Sequence, residues 1–176
     1  MADGRLDLAA SECDSEHLDG VRSALDRMDE LIEDLLTLAY EGKALSDLEP
    51  VDLVALVEDC WATVETGDAT LVTSADCDIH SDDNQLKHVL ENLIRNAVEH
   101  GGDDVNMTVG ELDDGFYFED DGPGISEDNH DDVFDAGFST DKDGSGIGLS
   151  IVKQNSDAHG WEIDISESFA DGTRFE

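Results

Sequence analysis

Asn84-Gln-Leu-Lys-His-Val-Leu-Glu-Asn-Leu-Ile-Arg-Asn-Ala-Val-Glu-His100 is the stretch on which the reading of this chain turns. Leu86, Leu90, Leu93 and Ala97 recur at helical spacing and form a core face, while Asn92, Asn96 and His100 recur every fourth residue along a second face. Gly101 and Gly102 follow as a stop signal, so the spacing predicts a long helix over 84–100.

Working outward, the residues before this helix predict another over about 52–66, just after Pro50, and short strands at 69–73 and 78–80. Beyond it, Val105, Met107 and Val109 alternate with polar residues, and Asp114-Gly115 is a hairpin signal leading into a strand at 116–119. Residues 121–146 are rich in Gly, Asp, Ser and Thr and read as a mobile loop. A helix is expected over about 148–158, then a strand marked by Trp161, Ile163 and Ile165, and a last one near 173–175. Helices and strands interleave, yet several strands are hairpin-linked. The fold class is therefore α/β in the sense of an α+β two-layer sandwich, with a mixed sheet and helices on one face.

At 176 residues the chain suits one domain of ordinary size with a short appendage. The appendage is N-terminal. Leu18, Val21, Leu25, Met28, Ile32, Leu35 and Ala39 fall at alternating spacings of three and four, a coiled-coil seam that asks for a partner. The short apolar stretch at 6–13 looks like the tail of another helix, with 12–16 as the connection of a helical hairpin and Gly42 as a C-cap. The expected organisation is a partial helical-hairpin dimerisation segment over 1–45 and a compact domain over 46–176.

There are 46 acidic side chains against 9 basic ones, for a net charge of −37. Such a surface repels itself at low ionic strength and is screened by salt, which points to the salt-rich cytoplasm of a halophile. Nucleic acid and anionic membranes are excluded as partners, because binding them relies on Lys and Arg. Cys13, Cys60 and Cys77 form no C-x-x-C pair and suggest a reducing compartment; Cys77 and His80 are too few for a zinc site, and the cysteines read as small buried hydrophobes. No apolar run approaches membrane-spanning length and no signal-peptide pattern opens the chain, so a cytoplasmic location is expected.

Three segments could carry chemistry. Asn92 and Asn96 offer amide oxygens, neutral ligands suited to Mg²⁺, although the same spacing also serves an ordinary polar face. In Phe118-Glu-Asp-Asp-Gly-Pro-Gly-Ile125, Gly122 and Gly124 permit close backbone approach and Asp120 can accept a hydrogen bond from an exocyclic amine; a plain Gly-Pro-Gly turn would look the same. Gly144-Ser-Gly-Ile-Gly148 sets alternate glycines before a helix whose first backbone amides can bind phosphate without basic side chains. No strand leads into these glycines, so a dinucleotide fold is excluded, and the G-x-x-x-x-G-K-[ST] phosphate loop is absent.

The order and spacing of these segments resemble the catalytic region of sensor histidine kinases, from about Gly20 to the C-terminus. Asn92-Leu-Ile-Arg-Asn96 is similar to the family's N box, Asp120-Asp-Gly-Pro-Gly124 to its first glycine box, Phe134 and Phe138 to its F box, and Gly144-Ser-Gly-Ile-Gly148 to its second glycine box. Asp171-Gly-Thr-Arg-Phe175 is similar to its closing strand.

The resemblance implies a Bergerat-type ATP-binding fold with ATP and Mg²⁺ as ligands. Asp120 would hold the adenine amine and Asn96 the metal, with Asn92 supporting metal or phosphates. Backbone at Gly122, Gly124, Gly144, Gly146 and Gly148, together with Thr173, would complete the pocket under a lid over 126–145. Lys142, the lid's basic residue, would reach the γ-phosphate, and His100 could pack on the adenine or simply complement its helix dipole. The implied partners are a response regulator, a second copy bound through helix 18–39, and an acceptor histidine in trans.

Three positions depart from related patterns. Wider relatives place a glutamate base where this chain has Asn92, and Glu91 sits about 100° around the helix from it, which favours a histidine kinase over an ATP hydrolase. The phosphoacceptor motif of His, an acidic residue, Arg and Pro is absent, and His17 does not match it. Glu99 stands where many members carry a basic residue. These departures leave three expectations: a fragment of a longer kinase, transfer to a histidine on another polypeptide, or an ATP-responsive dimeric module without kinase activity.

Overall fold

The computed structural model describes residues 48–176 apart from 76, 103 and 141–144, together with Val21, Leu25 and Met28. The chain divides into two compact units, Met1–Gly42 and Lys43–Glu176. In the first unit the three described positions are helical, with Val21 and Met28 exposed and Leu25 half-buried. The remainder of the seam, the hairpin connection and His17 lie outside the described residues, as do Lys142 and Gly144.

The second unit opens with β1 (Glu49–Asp52), which pairs antiparallel with β3 (Asp78–Ser81) so that Val51 lies opposite Ile79. Between them run α1 (Leu53–Thr63) and β2 (Thr70–Ser74). The Asp52 side chain caps α1 by accepting from the Ala55 N–H at 3.0 Å. The central helix α2 (Asp83–Gly101) starts at Asp82, whose carboxylate accepts from the Asn84 and Gln85 N–H groups. It ends where Gly102 adopts φ 103°, close to the stop that Gly101-Gly102 predicts.

The main sheet continues with β4 (Asn106–Leu112), β5 (Gly115–Asp120), β6 (Ile165–Glu167) and β7 (Thr173–Phe175), and α3 (Gly148–His159) lies before β6. Its strand order is β2-β4-β5-β7-β6. Only β2 and β4 run parallel, joined through α2; the other pairs are antiparallel, so the sheet is mixed as the hairpin signals imply. The register places Leu71, Met107, Phe118 and Phe175 on one face. That face meets Leu53, Val57, Leu86, Leu90, Leu93, Ile94, Ala97 and Val152 from the helices in one core. Each Leu, Ile or Val among them that is removed from water contributes roughly 1.5–3 kcal/mol.

The opposite face of the sheet is open. Tyr117 covers Gly110 there, and the Arg174 guanidinium lies 3.8 Å over the Tyr117 ring while pairing with Glu119. Cys60 is fully buried in the core, and burial pushes its thiol up to about 12, which makes it an inert hydrophobe.

Two expectations need amendment. The strand marked by Trp161 begins only at Ile165. Trp161 still belongs to the end of α3: its N–H donates to the Ser156 carbonyl at 2.9 Å and its ring stacks on His159 at 4.3 Å. The second difference concerns 126–140, which does not read as an open loop. A short 3₁₀ helix at Glu127–Asn129 leads into successive turns, His130 Nε2 lies 2.9 Å from the Ile125 carbonyl, and Val133 is buried. Among the described residues no helix is long and apolar enough to cross a membrane.

Candidate functional site

The site is organised by α2. Midway along it, Asn92 is buried; its Nδ2 donates to the His88 carbonyl at 2.8 Å, which aims Oδ1 at the start of α3. A Cβ added to Gly148 would come 3.0 Å from that oxygen, so glycine lets the helix entrance sit against the amide without displacing it. At the far end of α2, Gly101 meets the first glycine box, where a Cβ on Gly122 would come 2.8 Å from the Gly101 Cα. These two contacts lie about 13 Å apart along the helix axis at 1.5 Å per residue. Asn96 is half-buried one turn beyond Asn92, between the two contacts, and its side chain makes no hydrogen bond to another described residue.

Asp120 closes β5 and is buried. Its Oδ1 accepts from the Gly122 N–H at 2.9 Å and the Thr173 N–H at 3.4 Å. Burial raises its pKa, and those two backbone donors partly oppose the shift. Oδ2 makes no hydrogen bond among the described residues and is the atom able to accept from a ligand. Thr173 is buried beside it, and Gly172 lies so close to the Asp120 carbonyl that an added Cβ would overlap it. Gly124 sits at φ 72° with the Asp171 carbonyl alongside.

In the second glycine box, Gly146 holds φ 66° and its carbonyl accepts from the Gly137 N–H at 2.8 Å. A Cβ there would come 2.5 Å from the Phe138 carbonyl, so glycine is required by both conformation and space. The turn thus joins the F-box segment to the entrance of α3, and Phe134 packs on the core.

The structure therefore brings Asn92 to Gly148 and gathers Asp120, Gly122, Gly124 and Thr173 at the other end of α2. His100 and Glu99 are exposed near that end. Glu91 faces away from the glycines: it accepts from the Thr63 hydroxyl at 3.2 Å and pairs with Lys87, which removes it as a candidate base. Two contributors escaped sequence reasoning. Gly101 carries only a helix-stop signal in sequence, and Ser168, buried between β6 and β7, lies in no recognisable pattern.

The arrangement suits a ligand with a purine at one end and phosphates at the other. A buried carboxylate oxygen offers an acceptor at the Asp120 end, and glycine backbone before a helix offers amide donors at the Gly148 end. The amide of Asn96 lies between, as a cation bridging to phosphates would require.

Comparison with known proteins agrees with this geometry. Residues 81–176 match the family described as histidine kinase-, DNA gyrase B- and HSP90-like ATPase. The chain is 32% identical over 160 residues to the signal transduction histidine-protein kinase AfsQ2 of Streptomyces coelicolor, covering 85% of this chain and 30% of that protein. Full-length ShkA, solved in complex with AMPPNP, superposes with a TM-score of 0.70 at 28% identity, over 90% of this chain and 37% of that one. The mycobacterial sensor histidine kinase MprB gives a TM-score of 0.64 at 25% identity, over 73% of this chain and 93% of that one. The chain spans 30% and 38% of the length of two curated relatives, AfsQ2 and the Bacillus subtilis sensor kinase YkoH. The Bergerat-type layout, the N box on α2 and the glycine boxes at its two contacts place this chain in the histidine kinase-, DNA gyrase B- and HSP90-like ATPase family, as a catalytic domain of the sensor histidine kinase type.

Proposed function

We propose that the chain binds ATP with Mg²⁺ and presents the γ-phosphoryl group to a histidine in two-component phosphorelay signalling. The observation that carries the proposal is the double use of α2, with Asn92 against Gly148 and Gly101 against Gly122 beside the buried Asp120 carboxylate. Asp120 Oδ2 accepts from the adenine amine, and Thr173 helps orient that carboxylate. Gly122 and Gly124 let backbone pass close to the purine. Asn96 holds the metal, which supplies charge neutralisation on the phosphates, and Asn92 orients the α3 entrance. Amides around Gly144, Gly146 and Gly148 receive the phosphates, Lys142 reaches the γ-phosphate and His100 packs against the adenine.

In the transfer itself an imidazole nitrogen of the acceptor attacks the γ-phosphorus, the bond to the ADP oxygen breaks and ADP leaves. The protein's part is positioning and charge stabilisation. The acceptor comes from a helix in trans, the active assembly is a dimer through 18–39, and a response regulator takes the phosphoryl group afterwards.

A second reading has the chain as an ATP-responsive dimeric module that binds nucleotide without transfer. It is favoured by the absence of the His-acidic-Arg-Pro motif from this sequence and by Glu99, an acidic group where many members of the family carry a basic residue. One experiment separates the two. Labelled ATP, Mg²⁺ and a supplied acceptor helix are mixed with the protein in concentrated KCl. Acid-labile, base-stable label on the helix establishes transfer, whereas binding without label establishes the module. Asn96→Ala is expected to abolish Mg²⁺-dependent binding in either case, and unchanged binding by that variant removes the assigned metal ligand.

A further inference from the structure

We infer that Ser168 is a positioning residue for adenine recognition, acting through Asp120; the inference rests on the ATP reading above. Ser168 follows β6 and is buried, and its hydroxyl makes three hydrogen bonds. It donates to the Asp120 main-chain carbonyl at 2.7 Å, and it accepts from the Gly172 N–H at 2.9 Å and the Ala170 N–H at 3.3 Å. The Ser168 N–H in turn donates to the Gly172 carbonyl at 3.0 Å. These bonds close the turn Phe169-Ala170-Asp171-Gly172, in which Asp171 holds φ 66°, and press Gly172 onto Asp120.

The consequence lies in where the sheet stops. The β5–β7 ladder pairs Phe118 with Phe175 and Glu119 with Arg174, and goes no further. On that side Asp120 is past the last rung, and the Ser168 hydroxyl takes the place of the next rung by holding its carbonyl. The same turn delivers the Thr173 N–H to Asp120 Oδ1. Ser168 therefore grips Asp120 twice, directly at the main chain and through Gly172-Thr173 at the carboxylate. Removing the hydroxyl frees the direction of Oδ2, the atom left to meet the exocyclic amine. Phosphate and metal contacts on the Asn92–Gly148 side do not pass through Ser168.

The discriminating measurement is a pair of titrations in concentrated KCl with Mg²⁺: ATP, and inosine triphosphate, which carries a carbonyl oxygen where adenine carries its amine. Wild-type protein is expected to prefer ATP. Ser168→Ala is expected to weaken ATP binding about fivefold to tenfold, the worth of one well-placed hydrogen bond, with inosine triphosphate binding unchanged within about twofold on the same scale. If the alanine variant loses its native circular dichroism, Ser168→Cys, nearly isosteric with a poor donor, carries the same comparison. Equal weakening of both nucleotides, or unchanged ATP affinity in a folded variant, overturns the role of Ser168. Wild-type protein that binds neither nucleotide overturns the ATP reading itself, and the two failures are thereby distinct.

Discussion

Asp120 sets the proposed adenine contact against stability at a single residue. Burial disfavours its ionised form, so in the folded protein it holds its proton to higher pH than in the unfolded chain. Between those two ranges the unfolded state ionises first, and folding loses stability as pH rises; above both, the loss is constant. Asp120→Asn removes the charge while keeping an oxygen for the Gly122 and Thr173 donors. The variant should melt higher than wild type at neutral pH, and the gain should shrink toward zero below the ordinary aspartate range. It should also lose ATP binding in a parallel titration. A variant that melts lower than wild type at neutral pH contradicts the assigned cause of the shift. Asp120, Asn92, Asn96 and the glycines are legible as candidates because fixed spacings across three segments reinforce one another. Ser168 is not, because a solitary serine has no period and its partners lie 48 and 4 residues away.

Among the elements, α2 and α3 are tied at one end by His159, the last residue of α3. Its Nε2 accepts from the Asp82 N–H at 3.2 Å and lies 3.1 Å from the Ser81 hydroxyl, while Nδ1 donates to the Asn155 carbonyl at 2.7 Å. The ring thus bonds the N-terminal entry of α2 and also stacks on Trp161. His159→Ala is expected to destabilise the domain by about 1–3 kcal/mol, since it strands a part-buried backbone N–H and removes a ring contact. Denaturant unfolding measures this, and a loss below the lower figure would show the clasp to be incidental. Long periodic elements were the readable ones: α2 follows from Leu86, Leu90, Leu93 and Ala97. Strand β1 is not legible because it has only four residues, contains Pro50 and is largely exposed, so it carries no alternating pattern. The late start of β6 has a similar origin, because Trp161 obeys strand alternation in sequence but is claimed by the C-cap of α3.

The whole molecule is shaped by its charge of −37. Self-repulsion within the domain is long-ranged at low ionic strength and falls off within about 8–10 Å at physiological salt, and over still shorter distances in concentrated KCl. Dialysis into low salt should therefore abolish the helical circular dichroism signal, and returning KCl should restore it; a spectrum indifferent to salt refutes the halophilic reading. The layered mixed sheet with one buried face was legible from hairpin signals and interleaved helices. The strand order was not, because β2 reaches β4 through α2 and β6 comes to lie at the far edge beyond β7, pairings set by long-range packing that no local spacing encodes.

Because one helix touches both glycine boxes, the distance between those two contacts is written into the chain as a residue count. Inserting a single alanine between Asn96 and Gly101 would rotate one half of α2 by about 100° against the other and lengthen it by about 1.5 Å. Such a protein would keep every side chain named above and still be gauged for a different molecule.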